Sequence, residues 1–270
     1  MGLGQLASAP FEEGAFPVVA LLFGLVTGSF ANVCIHRLPL GRSVVRPASA
    51  CPACGRAIAW YDNLPVLSYL LLLGRCRGCR ARISLRYPSV EAANGGLYLA
   101  LALLEGPTPR AALLMAFVTA LLVLTFIDLD HQLLPDVITL PGTFAGIAAS
   151  LLVPGWPVTP LAAVLSSAFG YISLFAVAAA YKRTRGVEGL GQGDWKMVAM
   201  LGAFLGWEKM LLTVFLATLA GTAVGLGLMA LRGRSSRHAL PLGTFLGGAA
   251  LVVLFAGDPV IAWYRGLLYA

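Results

Sequence analysis

Long apolar runs constrain this 270-residue sequence more than any other feature. About 20 consecutive apolar residues can cross the hydrocarbon layer of a membrane as one helix. Only 11% of the residues are charged, whereas soluble domains carry about a quarter. We therefore predict an all-α, polytopic integral membrane protein with about eight transmembrane helices, at residues 16–36, 88–104, 110–127, 137–153, 160–181, 195–206, 209–231 and 239–256.

Two apolar runs are shorter than a full membrane span. The sixth segment, 195–206, is flanked by glycine, which indicates a half-span or a helix that begins below the membrane surface. The run from Leu64 to Leu73 is also too short to cross. We expect it to lie at the membrane interface or to pack within its loop.

The basic residues predict how the chain is oriented. Loops 37–87, 182–196 and 232–238 hold 16 of the 19 Lys and Arg residues and would share one side of the membrane. Because basic loops remain in the cytoplasm, we expect both termini on the periplasmic side. The formal charge of +7 is then explained by orientation, and no nucleic acid partner is predicted. The acidic N-terminus lacks a basic n-region, so no cleavable signal is expected.

Four of the five cysteines form two C-x-x-C pairs, Cys51 with Cys54 and Cys76 with Cys79. Two such pairs supply the closed tetrahedral thiolate set that structural zinc favours. The predicted cytoplasmic location argues against structural disulfides, because that compartment is reducing. Redox-active or simply reduced pairs remain an alternative. Cys34 lies in an apolar run, and we expect it to be a small buried packing residue.

The acidic residues are few, so their positions are informative. Asp128 lies where the third segment reaches the cytoplasmic face, and Asp194 opens the sixth segment at the same face. Two neighbouring carboxylates share a proton, so one can activate water while the other acts as an acid. Such a pair can hydrolyse a peptide bond. Gly191 and Gly193 would allow close approach of a peptide and backbone conformations that other residues avoid.

The same acids also have structural interpretations. Asp136 follows Pro135 and precedes an apolar helix, so we expect it to be an N-cap. Asp194 could also cap a helix. Asp130 is expected on a different helical face from Asp128, and His131 is expected to be an interfacial polar residue.

Taken together, the motifs resemble those of the type IV prepilin peptidases, the bifunctional leader peptidases and N-methyltransferases of bacterial pilus and secretion systems. The similarity runs from about Gly28 to about Gly247. The motifs that carry it are Gly28-Ser29-Phe30-Ala31-Asn32-Val33 with Arg37-Leu38-Pro39, the Cys51/Cys54 pair with Asp62-Asn63-Leu64-Pro65, Gly74-Arg75-Cys76-Arg77-Gly78-Cys79 with Ile83 to Pro88 and Glu91, Phe126 to Asp136, and Gly191-Gln192-Gly193-Asp194-Trp195-Lys196 with Leu201-Gly202-Ala203.

The resemblance implies cleavage of a short basic leader at the cytoplasmic face, followed by methylation of the new N-terminus with S-adenosylmethionine. Asp128 and Asp194 correspond to the family's catalytic aspartates, supported by a loop that contains Gly191, Gly193 and Lys196. The four paired cysteines correspond to its zinc site. Expected partners are the lipid bilayer and prepilin or pseudopilin substrates with a basic leader and an apolar helix.

The implied organisation has four parts. They are a periplasmic N-terminus with the first membrane segment, a cytoplasmic zinc-binding loop, a membrane-embedded aspartic peptidase core and a C-terminal tail, at 1–36, 37–87, 88–256 and 257–270 respectively. The expected location is the bacterial inner membrane.

Two departures from the family pattern are visible. Trp195 stands where the family pattern has Phe, and Pro241-Leu242-Gly243-Thr244-Phe245 is a looser version of a late Pro-Phe-Gly-Pro-Phe pattern. No Gly-rich dinucleotide fingerprint follows a strand, so the cofactor-binding residues are not identified. Loop 37–88 and the segment with Glu91 are candidates by elimination.

Two other classes of protein compete with the peptidase interpretation. A proton-coupled transporter would explain the two intramembrane carboxylates but not the four cysteines, and transport favours acids nearer the midplane. A zinc-containing membrane scaffold would explain the cysteines without any catalysis.

Overall fold

The computed structural model describes residues 12–187, 189–232 and 240–268, and within them the chain is helical with no strand beyond two isolated bridges. The prediction of an all-α fold is confirmed. Two short 3-10 helices occupy Leu38–Leu40 and Trp60–Asp62. The α-helices are α1 (Glu12–Arg37), α2 (Leu67–Leu71), α3 (Arg86–Glu105), α4 (Pro109–His131), α5 (Asp136–Leu152), α6 (Pro160–Arg185), α7 (Gln192–Arg232) and α8 (Leu242–Leu268).

The predicted count of eight membrane spans is not confirmed. Within the described residues, five helices are long and apolar enough to cross a bilayer, namely α1, α4, α6, α7 and α8. Helix α5 is apolar but shorter than the others. Helix α3 coincides with predicted segment 88–104, but its first half carries Glu91 and Asn94, which lower its hydropathy. All eight predicted segments nevertheless fall largely on helices.

Helix α7 covers both the sixth and the seventh predicted segments. It has 41 residues and is interrupted at Gly206, where φ is 76° and ψ is 173°. A residue with a Cβ is strained at such a φ, so glycine permits the interruption. The break falls between 195–206 and 209–231, and the first part of α7 is short, as the sequence indicated.

The chain divides into two compact units, Met1–Thr119 and Ala120–Ala270, with the boundary inside α4. In the first unit, α1 packs against α3. Asn94 is fully buried there, and its Nδ2 donates to the Gly24 carbonyl at 2.8 Å and to Thr27 Oγ1 at 2.9 Å. Its Oδ1 accepts from Thr119 at 2.9 Å, so one amide connects α1, α3 and the middle of α4.

In the second unit, α7 packs against α5, α6 and α8. Glycines let these helices approach closely, because a Cβ on Gly202 of α7 would lie 2.6 Å from the Ser166 carbonyl of α6. Helix α8 continues to Leu268, so residues 257–268, which were expected in the C-terminal tail, are helical. Residues 233–239, with most of the third basic loop, lie outside the described residues, as do 1–11 and the last two residues of the expected tail.

The three basic residues predicted on the periplasmic side each form an ion pair. Arg110 pairs with Glu105 at 3.1 Å, Lys209 pairs with Asp258 at 2.8 Å, and Arg265 pairs with Glu208. The last two pairs join the second part of α7 to the end of α8. These two ion pairs hold the C-terminal part of α8 against α7.

Two glycines provide a matched test of the α1–α3 packing. A Cβ on Gly28 would lie 2.8 Å from the Glu91 Cα, whereas a Cβ on Gly96 would meet no atom within 4 Å. We expect Gly28→Ala to destabilise the protein by about 1–3 kcal/mol, since backbone cannot yield easily. We expect Gly96→Ala to be neutral or to stabilise by up to about 1 kcal/mol, because alanine favours helices. Thermal unfolding in detergent micelles measures both, and equal midpoints for the two variants would contradict this packing.

Candidate active site and metal centre

Asp128 is buried near the end of α4, with 4% of its surface exposed. Its Oδ2 accepts hydrogen bonds from the Thr244 N–H at 2.6 Å and from the Thr244 hydroxyl at 3.1 Å. The Gly243 N–H contacts the same carboxylate. These donors lie in the first turn of α8, where N–H groups have no partner within the helix. The α8 N-terminus therefore anchors Asp128.

Asp194 is buried in the first turn of α7, with 8% of its surface exposed. Its Oδ2 accepts from the Gly191 N–H at 3.0 Å. Because α7 begins at Gln192, this contact is the returning half of a capping box. The capping interpretation and the catalytic interpretation of Asp194 are therefore compatible, since one oxygen caps the helix.

The two carboxylates are brought together within the second unit. They interact electrostatically with each other. A Cβ on Gly243 would lie 2.9 Å from the Asp128 carboxyl carbon and from Leu134, and a Cβ on Gly193 would lie 2.6 Å from the Leu134 Cβ. Glycines at the starts of α7 and α8 thus make room for the side chain of Leu134.

The two glycines before Asp194 act differently from the expectation. Both have ordinary backbone angles, because the residues with positive φ do not include Gly191 or Gly193. Gly193 is required by its contact with Leu134 and not by its backbone conformation. Gly191 lies at the exposed surface of the protein, next to the start of α7.

The neighbours of Asp194 fix the start of α7. The Trp195 ring makes edge-to-face contacts with Phe175 and Tyr171 of α6, at centroid distances of 5.3 and 6.3 Å. Such aromatic pairs stabilise packing beyond their buried area. The departure from Phe at this position therefore supplies a larger ring to an aromatic cluster.

Asp136 is not the N-cap that the sequence indicated. Pro135 holds the N-cap position of α5, no side chain caps the helix, and Asp136 is its first residue. The Asp136 carboxylate instead pairs with Lys196 Nζ at 2.7 Å. The expectation is wrong because the Lys196 cation, 60 positions away in sequence, offers the carboxylate a stronger partner than a local N–H. Lys196 thereby ties the start of α5 to the start of α7.

Two further polar residues that the sequence singled out differ from Asp128 in burial. Asp130 and His131 are exposed, whereas Asp128 is buried. This difference agrees with the expected separation of Asp128 and Asp130 onto different helical faces. Cys34 is half-buried on α1, so it is less enclosed than expected.

The two C-x-x-C pairs adopt the same local fold. The Cys51 N–H donates to the Arg56 carbonyl at 2.9 Å, and the Cys76 N–H donates to the Ala81 carbonyl at 2.8 Å. Each pair lies beside one isolated antiparallel bridge, Ala50 with Ala57 and Arg75 with Arg82. Each turn contains one residue with positive φ, Gly55 at 70° and Arg80 at 61°. The chain therefore forms two equivalent knuckles.

The four thiols fit a single metal ion. All four sulfur atoms lie within 4.8 Å of one another, and Cys51 and Cys79 are 3.8 Å apart. Tetrahedral zinc with sulfur ligands at about 2.3 Å requires sulfur atoms about 3.8 Å apart. The backbone N–H groups of Cys79 and Gly78 lower the pKa of the Cys76 thiol to about 7, whereas hydrogen bonds with the neighbouring thiols and burial raise the pKa of Cys79 to about 11. The cluster is a possible metal-binding site.

Sequence reasoning identified the acids and the cysteines but missed Thr244 and Leu134. Thr244 occupies the position of the second Pro in the late family pattern, and proline could donate neither of the hydrogen bonds that Asp128 receives. The replacement of Pro by Thr at position 244 was therefore the sequence feature that could have indicated this contact. Leu134 lies within the Phe126 to Asp136 motif, but an apolar side chain there did not indicate its contacts with the starts of α7 and α8.

Comparisons with known proteins match both parts of the chain. Residues 22–104 match the model of the bacterial peptidase A24 N-terminal domain, and residues 115–226 match that of the type IV leader peptidase family. No solved structure matches the chain.

Curated relatives are similar along most of their length. A prepilin leader peptidase/N-methyltransferase of Aeromonas hydrophila is 39% identical over 91% of this chain and 92% of its own. One from Pseudomonas aeruginosa is 38% identical over 97% of both chains. One from Myxococcus xanthus is 42% identical over 82% of this chain and 65% of its own.

Proposed function

The chain belongs to the type IV leader peptidase family, and we propose that it is a membrane-embedded aspartic endopeptidase that removes the leader from prepilin-like proteins. The observation that carries this proposal is the pair of buried carboxylates, Asp128 and Asp194, each anchored at the start of a helix. Burying an ionisable group in a membrane protein costs free energy, so a buried carboxylate marks a functional site. The relatives' names supply the class of substrate.

The hydrogen bonds of the two acids assign one of them as the general base and the other as the general acid. Asp128 receives donors from Thr244 and Gly243, and a carboxylate can only accept, so Asp128 is assigned the ionised role. Asp194 carries the shared proton. Asp128 takes a proton from water as the water oxygen attacks the peptide carbonyl carbon, and Asp194 protonates the carbonyl oxygen. As the C–N bond breaks, Asp128 gives its proton to the leaving amine, and Asp194 takes back a proton from the hydroxyl of the tetrahedral intermediate, which restores the starting pair.

The proposed substrates are prepilins and pseudopilins with a basic leader followed by an apolar helix. The apolar helix of such a substrate can enter the hydrocarbon layer of the bilayer. The leader would remain in water at the cytoplasmic face. Exposed Gly191 beside Asp194 supports cleavage at a point that water can reach.

The relatives' names also include N-methyltransferase, and we extend this activity to the chain. The methyl donor is S-adenosylmethionine, which supplies an electrophilic methyl group. Cleavage provides the amine that accepts it, so the two reactions follow in a fixed order.

The metal at the four cysteines is proposed to be zinc in a structural role. Four thiolates complete a tetrahedral shell and leave no position for water. The knuckles contain few apolar residues, and a metal ion would hold them together in place of a hydrophobic core. The cysteines would contribute no atom to peptide cleavage.

A multi-pass location in the inner membrane agrees with the apolar helices and the family. We propose that both termini are periplasmic and that the acids lie near the cytoplasmic face. The distribution of basic residues supports this orientation, because 16 of the 19 Lys and Arg residues lie in the three loops assigned to the cytoplasm. The transporter and scaffold hypotheses do not account for both family matches.

The catalytic assignment is tested by removing each carboxyl. We expect Asp128→Asn and Asp194→Asn each to abolish cleavage of a model prepilin by the purified protein. The double variant should be little worse than either single variant, because the acids act as one unit. Asp136→Asn is the control: it loses a partly exposed ion pair with Lys196, worth at most about 1 kcal/mol, and should retain most activity. Cleavage near the wild-type rate by either single variant refutes the assignment.

The role of Thr244 is tested by isosteric substitution. Thr244→Val removes the hydroxyl that binds Asp128 and keeps the shape and the N–H, so we expect kcat to fall about tenfold. Thr244→Ser keeps both donors and should cleave at nearly the wild-type rate. Steady-state kinetics with a prepilin substrate separates the two variants. Equal kcat values would show that the hydroxyl contributes nothing to Asp128.

The metal assignment is tested by elemental analysis. We expect about one zinc per chain in protein purified without chelators. Cys51→Ser or Cys76→Ser should lose the zinc and disorder the loop, whereas Cys34→Ser should retain it because Cys34 is not among the clustered thiols. Cleavage should be affected less than zinc content, since the acids lie outside the loop. Wild-type protein without zinc would contradict the assignment.

The orientation is tested by thiol labelling in intact cells. A cysteine introduced at exposed Arg42 should resist a membrane-impermeant reagent until the inner membrane is opened. A cysteine at exposed Pro157, between α5 and α6, should react at once. The reverse pattern would invert the proposed topology.

A further inference from the structure

The first unit encloses a cavity that peptide cleavage leaves unused. Its volume is about 480 Å³, within the usual range for small-molecule sites. Its walls come from α1, α3 and the loop between them, and they include Ser29, Tyr61, Arg82 and Glu91. All residues that line the cavity belong to the first unit, whereas both proposed catalytic acids belong to the second.

One wall of the cavity carries a buried carboxylate. Glu91 is 8% exposed, and its Oε2 accepts from the Val66 N–H at 2.8 Å. Ser29 is its second contact. Both of these groups are neutral, so neither balances the negative charge. A cationic ligand would find in Glu91 a desolvated charge of opposite sign.

Strain accumulates beside this carboxylate. Val66 has φ of 61° and ψ of −48°, and the Leu67 N–H donates to the Pro65 carbonyl at 2.6 Å across it. This is a tight three-residue turn that β-branched residues rarely adopt. Such strain occurs at ligand clamps, and Glu91 holds the turn in place.

The remaining walls carry groups of other kinds. The rings of Tyr61, Tyr69 and Tyr87 line the cavity, and the guanidinium of Arg77 stacks 5.7 Å from the Tyr61 ring. Asp62 is matched by a bidentate pair with Arg77. Arg82 brings an additional cation that can bind a carboxylate.

We propose that this cavity binds S-adenosylmethionine and is the methyl-transfer site. The Tyr rings suit the adenine plane and Arg82 suits the amino-acid carboxylate. The Glu91 carboxylate suits the sulfonium, because a desolvated carboxylate attracts a fixed positive charge. The inference rests on the proposed methyltransferase activity and adds the residues that would serve it.

The transfer balances without any further reagent. The lone pair of the new N-terminal amine bonds to the methyl carbon while the S–CH₃ bond breaks. The electron pair of that bond moves to sulfur, which becomes the neutral thioether of S-adenosylhomocysteine. The methylated amine releases one proton to water.

Two pairs of matched variants test the site in the full-length, zinc-loaded protein. Glu91→Gln keeps an acceptor for the Val66 N–H and removes the charge, and Glu105→Gln changes a carboxyl on α3 outside the cavity. Arg82→Gln removes a cavity cation, and Arg75→Gln changes its bridge partner, which does not line the cavity. Binding of S-adenosylhomocysteine and S-adenosylmethionine is measured by titration calorimetry, with zinc content and prepilin cleavage as checks of folding.

We expect Glu91→Gln and Arg82→Gln each to weaken binding of S-adenosylmethionine about tenfold or more, with the two controls unchanged. Glu91→Gln should weaken S-adenosylhomocysteine less, because that product has lost the sulfonium charge. If wild-type protein binds the donor and both cavity variants bind it equally well, the cavity assignment is wrong and the proposed function stands. If wild-type protein neither binds the donor nor methylates a cleaved pilin, methyl transfer itself is refuted while cleavage remains testable.

Discussion

A carboxylate buried in a helical membrane protein needs hydrogen-bond donors, and helices use nearly all of theirs internally. The free N–H groups lie in the first turn of each helix. Asp128 and Asp194 both satisfy this constraint, the first at the start of α8 and the second at the start of α7. The positive end of a helix also favours negative charge. Each carboxylate therefore needs its helix start for hydrogen-bond donors, and each helix start has its free N–H groups satisfied by a carboxylate.

Several contacts in the second unit hold the starts of α7 and α8 in position. Gly193 and Gly243 admit Leu134 between them. Trp195 packs on α6, and Lys196 pairs with the start of α5, so the residues that follow Asp194 connect α7 to both neighbours. These contacts use an aromatic ring and an ion pair, and neither depends on burial in lipid.

The sequence predicted local features better than long-range ones. Helical class, the break in α7 and both cysteine knuckles depend on runs, glycines and short spacings, and the structure has all of them. The Asp128–Thr244 contact joins positions 116 residues apart, and the pair of Lys196 with Asp136 joins positions 60 apart. No periodicity encodes such contacts. The span count was not confirmed because α3 is less apolar, α5 is short, and the single helix α7 covers two predicted segments. Residues 257–268, which the sequence placed in the tail, continue α8.

The ion pair of Arg110 with Glu105 has a consequence for membrane insertion. Glu105 ends α3 and Arg110 lies in the first turn of α4, so the pair flanks the turn that reaches the far side of the membrane in the proposed orientation. Moving a single unpaired charge through a membrane potential of 100 mV involves about 2.3 kcal/mol of electrical work. A hairpin that carries one charge of each sign crosses the same field with no net electrical work. In that orientation the membrane potential neither drives nor opposes the translocation of this charge pair.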